Sequence, residues 1–212
     1  DLRMSRGLGD VYKRQAISVF ILLAILSVTA LCLYRDRNAK TINSSEEITS
    51  NPIAFYQKDD IWKNDFLGNS EYHMGDSGCL TTCIASQLLM QGISVEEVSG
   101  ITPGTLNEFF SKNNVYDSEG NLQWDIAGSV LKIKYIRKET SEISESELET
   151  LIKNRIYPIV SVKMPKSGNY HFVLLVGSDE KNFLCMDPLN KYNEIVSLSE
   201  FGNKIYSVTY CE

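Results

Sequence analysis

A cysteine and a histidine, far apart in the chain, lie in surroundings that favour nucleophilic chemistry. Cys79 follows Gly78 and opens the segment CLTTCIASQLLMQG, whose apolar residues recur at roughly helical spacing. The positive partial charge and free N–H groups of a helix N-terminus favour a thiolate over a thiol. His171, one of two histidines, lies at the start of the apolar run YHFVLLVG. The pair predicts acyl-transfer chemistry, with Cys79 as nucleophile and His171 as base.

An acidic residue ends the segment that returns from the histidine strand. Asp187 precedes Pro188, and a hairpin turn at residues 178–181 places Pro188 opposite His171. A one-residue change of register places Asp187 there instead, and directly opposed residues have Cβ atoms roughly 4.5–5.5 Å apart. A carboxylate in that position accepts the imidazole N–H, fixes the tautomer and favours the imidazolium. The simpler interpretation of Asp187 is the first residue of an Asp-Pro turn.

The second histidine and a second cysteine allow two alternative assignments. His73 precedes Cys79 by six residues and is a second candidate base. Cys79 and Cys83, with His73 and His171, are also a candidate zinc set, but a Cys-x₃-Cys pair inside a helix is atypical of structural zinc sites. We therefore predict no metal and no cofactor, and we expect Cys83 in the core behind Cys79.

The elements that must position these residues predict an α+β fold. Helices are expected at residues 79–92, 103–112 and 144–153. Strands are expected at residues 130–136, 157–164, 170–177, 182–187 and 205–211. The 170–177 segment is apolar on both faces, which predicts a central strand. Because helices come first and antiparallel strands follow, the order indicates α+β rather than alternating βαβ units.

A long apolar run precedes this domain. Residues 16–34 are 19 residues without a charge, enough at about 1.5 Å per residue to cross a roughly 30 Å hydrocarbon core. We interpret them as a single-pass anchor in the cell membrane with the domain outside. The alternative is a signal peptide cleaved after Val28-Thr29-Ala30, which gives a secreted protein. Basic residues flank the run on both sides, so charge does not decide the orientation.

The segments on either side of the apolar run differ in composition. Residues 1–15 (DLRMSRGLGDVYKRQ) show no amphipathic period and are interpreted as non-native read-through. Residues 35–52 are polar and predict a flexible linker, which leaves 53–212 as the folded domain. Beyond residue 40 the chain carries 14 Lys/Arg against 24 Asp/Glu, a net charge of −10. Such an acidic domain repels phosphate backbones, so nucleic acid is not an expected partner.

The order of these residues along 53–212 resembles the papain-like cysteine peptidases of family C39. That family is typified by the leader-cleaving domain of bacteriocin exporters and has a large free-standing branch. The matching features are Tyr56-Gln57, Trp62, Gly78-Cys79-Leu80-Thr81-Thr82, Trp124, Tyr170-His171-Phe172-Val173 and Met186-Asp187-Pro188. The resemblance implies a papain-like fold and a thiolate–imidazolium pair that Asp187 orients. It also implies that Gln57 gives its side-chain amide to an oxyanion hole beside the Cys79 N–H.

The sequence departs from the exporter-type members in two ways. Leu80 follows Cys79 where those members carry glycine, and no Gly-rich Lys-Ser/Thr loop is present. Leader cleavage coupled to export is therefore not implied. The remaining hypothesis is hydrolysis of a peptide or related amide. The alternatives are a non-catalytic extracellular binding domain on the same fold and a Cys-dependent acyltransferase.

Overall fold

A computed structural model describes residues 4–37 and 39–212, which form two compact units divided at residue 38. The first unit is one helix, α1 (Met4–Arg37). Its stretch Lys13–Ala30 is long and apolar enough to cross a membrane, a test by length and composition that a signal sequence also passes. Residues 1–3 and residue 38, and the side chains of 4–12 and 31–37, lie outside the described part of the chain. The read-through expected at 1–15 therefore stays a prediction.

The second unit contains the remaining α-helices. They are α2 (Met74–Ser77), α3 (Cys79–Gln91), α4 (Pro103–Lys112), α5 (Trp124–Leu131) and α6 (Glu145–Lys153). Helix α3 ends at Gly92, whose left-handed φ of 70° explains the glycine. Helix α6 begins at Ser144, whose hydroxyl accepts the Glu147 N–H. The three helices predicted from these signals are confirmed.

The strands of this unit pair antiparallel in one large sheet and one small sheet. The strands are β1 (Lys40–Thr41), β2 (Glu47–Ile48), β3 (Tyr135–Lys138), β4 (Ile159–Lys163), β5 (Tyr170–Asp179), β6 (Phe183–Met186), β7 (Ile195–Ser197), β8 (Lys204–Ile205) and β9 (Ser207–Cys211). The main sheet has the order β3-β9-β4-β5-β6-β7, and β2 adds to β5, while β1 pairs with β8 in the small sheet. Strand β5 is buried over most of its length and lies inside the sheet. The predicted α+β architecture and the central position of this strand are confirmed.

The segment around residue 130 differs from the prediction. Residues 130–136 were expected to be a strand, but Leu131 is the last residue of α5 and β3 begins only at Tyr135. A Cβ on Gly128 would lie 2.9 Å from the Ile133 carbonyl oxygen, so glycine lets the helix pack against the chain that leaves it. Seven residues with alternating polarity are too few to separate this helix end from a strand.

The predicted flexible linker at 35–52 is also corrected. From residue 39 onward this segment belongs to the folded unit, because β1 pairs with β8 and β2 pairs with β5. Ile42 is fully buried and Ile48 is 6% exposed, so two isolated apolar side chains anchor an otherwise polar stretch. The folded domain therefore begins near residue 39 instead of residue 53. The low apolar content of the segment concealed these two anchors.

One face of α6 holds this segment in place. Glu145, Glu149 and Lys153 are spaced four residues apart, which places them on the same side of the helix. Their contacts are Asn43 N to Glu145 Oε1 (2.6 Å), Ser44 Oγ and Ser45 N to Glu149 Oε1 (2.8 Å each), and the Lys153–Glu46 ion pair. We call residues 40–48 the strap. The strap is thus fastened by charge-assisted hydrogen bonds as well as by its two isoleucines.

We expect Glu149→Gln to loosen the strap. Glu149 is 4% exposed. Burial acts to raise the pKa of its carboxyl, but the hydrogen bonds from Ser44 and Ser45 and the charge of Lys153 outweigh it and lower the pKa. Loss of the charge removes stabilisation of about 1.5–3 kcal/mol in the free energy of unfolding, measured by urea denaturation at pH 7.

The pH dependence of the stability gives a second test of Glu149. Because the folded-state pKa of Glu149 is lowered, its contribution is present above pH 4.5 and is lost as the pH falls through the folded-state value. The variant should therefore show a flatter acid limb than the wild type. Glu145→Gln, which removes the charge from a carboxylate that accepts only one strap N–H, should cost less. Equal unfolding curves for wild type and Glu149→Gln would show that the carboxylate does not hold the strap.

Candidate active site

Cys79 is the first residue of α3 and is partly exposed. The short helix α2 ends two residues earlier, and Gly78 joins the two helices. A Cβ on Gly78 would lie 2.5 Å from the Met74 carbonyl oxygen and 2.7 Å from the Met74 sulfur, so only glycine allows this tight junction. The junction presents the thiol at a helix N-terminus, where unpaired N–H groups favour negative charge.

The other described cysteines lie away from solvent. Cys83, Cys185 and Cys211 are fully buried, and all four described cysteines are free thiols. Cys83 lies one helical turn after Cys79, and its sulfur is 3.4 Å from the Phe172 carbonyl oxygen. Burial raises the pKa of the Cys83 thiol well above its usual value, with a further contribution from the charge of Cys79. The expectation that Cys83 packs in the core is confirmed, and thiol reactivity should be concentrated at Cys79.

His171 and Asp187 form a close pair. His171 lies in β5, is 3% exposed, and has its Nε2 2.6 Å from Asp187 Oδ1. Asp187 follows β6, and the same oxygen accepts the Leu189 N–H at 2.8 Å. Asp187 therefore both begins a turn and contacts the imidazole. The two interpretations of this residue are compatible.

The route by which Asp187 reaches His171 differs from the predicted one. The turn between β5 and β6 lies one residue later than expected, because Ser178 pairs with Phe183, and a bulge between Leu175 and Gly177 shifts the register again. The ladder ends at the pair Leu174–Met186, and the same register continued by one step places Asp187 opposite Val173. Direct opposition to His171 is therefore wrong. The two residues are diagonal neighbours, about 7–8 Å apart along the sheet, a gap that their side chains span.

The Cys79 sulfur also lies near the imidazole and raises its pKa. Because Nε2 is occupied by Asp187, Nδ1 is the ring nitrogen that remains for the sulfur. Burial acts to lower the pKa of His171, but the hydrogen bonds to Asp187 and Cys79 and the negative charges of both outweigh it and raise the pKa to about 9. The imidazole is thus protonated at neutral pH. This arrangement can hold a negatively charged sulfur beside a proton donor.

Gln57 lies between the two halves of this site. Its side chain is 2% exposed, and its Nε2 donates to the Gly75 carbonyl oxygen at 2.9 Å. Its backbone N–H donates to the Pro188 carbonyl oxygen at 2.8 Å. Gln57 therefore links the segment before Cys79 to the residue after Asp187. The sequence does not predict the hydrogen bond to the Gly75 carbonyl, because every residue has a backbone acceptor and residue types do not show which one is used.

His73 does not take the position of the base. Its Nδ1 is 2.9 Å from the Asn64 carbonyl oxygen, and its ring lies against Phe66 with centroids 4.2 Å apart. The alternative zinc set is not assembled: among the side chains that the structure describes, those of 13–30 and 39–212, no three His, Cys, Asp or Glu are grouped to hold a metal ion. Of the candidate bases, His171 is the one near enough to Cys79 for the sulfur to raise its pKa.

Comparisons with known proteins add one likeness. The sequence matches no family model and no curated protein. Among solved structures, the chain is similar to a Bacillus anthracis protein provisionally assigned as a C39-like peptidase. The two are 16% identical, the alignment covers 79% of this chain and 98% of that one, and the TM-score is 0.49. At this distance the likeness concerns the arrangement of helices and strands, and the case for a function depends on the side chains described above.

Proposed function

We propose that this protein is a cysteine peptidase that hydrolyses a peptide or a related amide through Cys79, His171 and Asp187. The observation that carries the proposal is the position of the His171 ring. Its Nε2 bonds to a carboxylate at 2.6 Å, and Cys79, at a helix N-terminus, is near enough to raise the pKa of the same ring. A base held on one side and in contact with a nucleophile on the other is the arrangement that acyl transfer requires.

The first half of the reaction forms a thioester. The Cys79 sulfur attacks the carbonyl carbon of the scissile amide, and the carbonyl electrons move to the oxygen. When this tetrahedral intermediate collapses, the C–N bond breaks and the leaving amine takes a proton from the His171 imidazolium. The acyl group remains on Cys79, and His171 is neutral.

The second half restores the enzyme. Neutral His171 takes a proton from a water molecule as its oxygen attacks the thioester carbonyl. Collapse of the second tetrahedral intermediate breaks the C–S bond and releases a carboxylic acid. The thiolate returns to Cys79 beside the imidazolium. Asp187 orients the ring throughout and favours its protonated form.

Gln57 is the proposed donor to the oxyanion. Its Nε2 carries two hydrogens, and the bond to the Gly75 oxygen uses one of them. The second, together with the backbone N–H of Cys79, would stabilise the charge on the tetrahedral oxygen. One donor of this kind typically contributes about 10²–10³ in rate. Its support is the anchoring of Gln57 to both catalytic segments.

We place the reaction outside the cell. Helix α1 contains an apolar stretch of membrane-spanning length. We propose that it is a single-pass anchor in the cell membrane. A cleaved signal peptide is the alternative and leads to a secreted enzyme. In both cases the expected partner of the domain is a peptide.

An electrophile tests the proposal directly. An alkyne-tagged epoxysuccinate, incubated with the full chain at pH 7, should label Cys79 and spare Cys83, because Cys83 is fully buried with a raised pKa. The label is located by peptide mass spectrometry. His171→Ala should slow the labelling by about tenfold or more, because the thiolate loses its counter-charge. Equal labelling of both cysteines, or an unchanged rate in the variant, would favour a non-catalytic domain with a passive thiol.

Product analysis separates hydrolysis from acyl transfer to another acceptor. With water as acceptor, the product is a new carboxyl terminus. With an added primary amine, an acyltransferase would yield the corresponding amide at low millimolar amine. A hydrolase should give carboxylate alone under the same conditions.

A further inference from the structure

A concave surface lies beside α2, the helix that precedes Cys79. It is a groove of about 570 Å³ between the loop 61–68 and one side of α4. Gly104 allows the two walls to approach, since a Cβ there would lie 3.1 Å from the Trp62 Cβ. We call this the α4 groove.

The charge of the α4 groove has one sign. Asp65 and Glu108 line it, both are exposed, and neither forms an ion pair among the described residues. Its lining includes neither lysine nor arginine. Two carboxylates in a concave surface raise the local concentration of cations. The groove is therefore suited to a positively charged group.

The polar and apolar side chains that line the groove indicate which kind of molecule carries the positive charge. Asn107 lines the groove and is 3% exposed; its Nδ2 donates to the Phe66 carbonyl oxygen at 3.0 Å, while its Oδ1 is buried without a partner. That oxygen lacks a donor of the kind that a peptide N–H or an ammonium supplies. Ile61 and Phe66, which are 79% and 54% exposed, add apolar surface to the lining. A lysine or arginine offers both a cationic head and an apolar stem.

We propose that the α4 groove binds a peptide segment in which lysine or arginine alternates with apolar residues. The occupant is identified by charge complementarity to Asp65 and Glu108, by the orphaned Asn107 oxygen, and by the exposed apolar side chains. The binding itself requires no catalysis. Its role as a docking site for a substrate rests on the proposed peptidase function.

The groove is connected to the nucleophile through backbone hydrogen bonds. The Met74 N–H donates to the Asp65 carbonyl oxygen, and the Gly75 N–H donates to the Lys63 carbonyl oxygen, each at 2.8 Å. The loop that forms one wall is thus bound to α2, which leads into Gly78 and Cys79. A peptide held here would be bound beside the segment that carries the nucleophile, which suits a contact with substrate away from the scissile bond.

Binding is measured with the full chain carrying Cys79→Ala, in phosphatidylcholine nanodiscs whose net charge is zero. The probes are three labelled hexapeptides with the same apolar residues and with Lys, Gln or Glu at alternate positions, followed by fluorescence polarisation. The Lys peptide should bind most tightly. Asp65→Asn with Glu108→Gln should weaken it about three- to tenfold, as expected for two exposed ion pairs. Higher salt should weaken it as well.

A matched control removes the same charge elsewhere. Glu119→Gln with Glu212→Gln changes two exposed carboxylates outside the groove and should leave the affinity unchanged. Equal weakening by both pairs, or equal binding of the Lys and Gln peptides, would overturn the docking site. Groove-dependent binding without any hydrolysis by the wild type would support the docking site and contradict only the peptidase. Hydrolysis of basic peptides that is unchanged by the substitutions at Asp65 and Glu108 would support the peptidase and contradict the docking site.

Discussion

Replacement of Cys79 by alanine should lower amide hydrolysis by about 10⁴-fold or more, because the covalent route loses its nucleophile. Among the described residues, Cys79 is the one cysteine that is not fully buried. No second thiol is therefore placed to replace it. The measurement is kcat/KM on a peptide library, with cleavage followed by mass spectrometry.

Cys83→Ala is the matched control. It removes a thiol four residues away in the same helix, but one that contacts the Phe172 carbonyl and not the imidazole. We expect kcat/KM within about threefold of the wild type and a modest loss of stability from the cavity. A large loss of activity in Cys83→Ala, with Cys79→Ala retaining activity, would show that Cys79 is not the nucleophile and would contradict the proposed mechanism.

The second large effect concerns pH and the partner of His171. The raised pKa of about 9 means that the imidazolium, which protonates the leaving amine, is present at neutral pH and is lost as the pH rises through 9. The rate should therefore fall on the alkaline side near that value. In Asp187→Asn the carboxylate charge is gone, so the pKa of His171 falls and the alkaline limb moves to lower pH.

Two substitutions at Asp187 separate charge from orientation. Asparagine keeps an oxygen that accepts the imidazole N–H, whereas alanine leaves that N–H unpaired in a nearly closed site. Asp187→Ala should therefore cost more in kcat than Asp187→Asn, with a difference of about tenfold or more. Asp125→Asn, the same loss of charge on an exposed position of α5, is the control. An alkaline limb that does not move in Asp187→Asn would show that the carboxylate does not set the protonation of His171.

Local signals predicted the helices that position the nucleophile. Gly92 ends α3, Pro103 begins α4 and Ser144 caps α6, and each acts through backbone groups within a few residues of itself. Such signals are readable because the chemistry and the geometry lie in the same short segment. Cys79 at the start of a helix is a prediction of this kind, and the structure bears it out.

Two parts of the fold differ from the prediction because they depend on packing between segments. The strap looked like a linker, since its polar residues bind Glu149 and its neighbours about a hundred positions later in the chain. Helix α5 was partly read as a strand, because its boundary depends on the packing of Gly128 against the chain that follows. Composition alone does not distinguish a polar residue in solvent from one paired with another element.

The amino-acid sequence by itself determined which side chains are available for acyl transfer, that one of them begins a helix, and that helices and antiparallel strands combine in an α+β fold. Only the tertiary structure decided that these side chains lie close together. Cys79 lies near a histidine in β5, and the sheet register brings Asp187 to that histidine as a diagonal neighbour. The physical reason is that register follows from the turn and from packing across the whole sheet, whereas capping and periodicity act within a few residues.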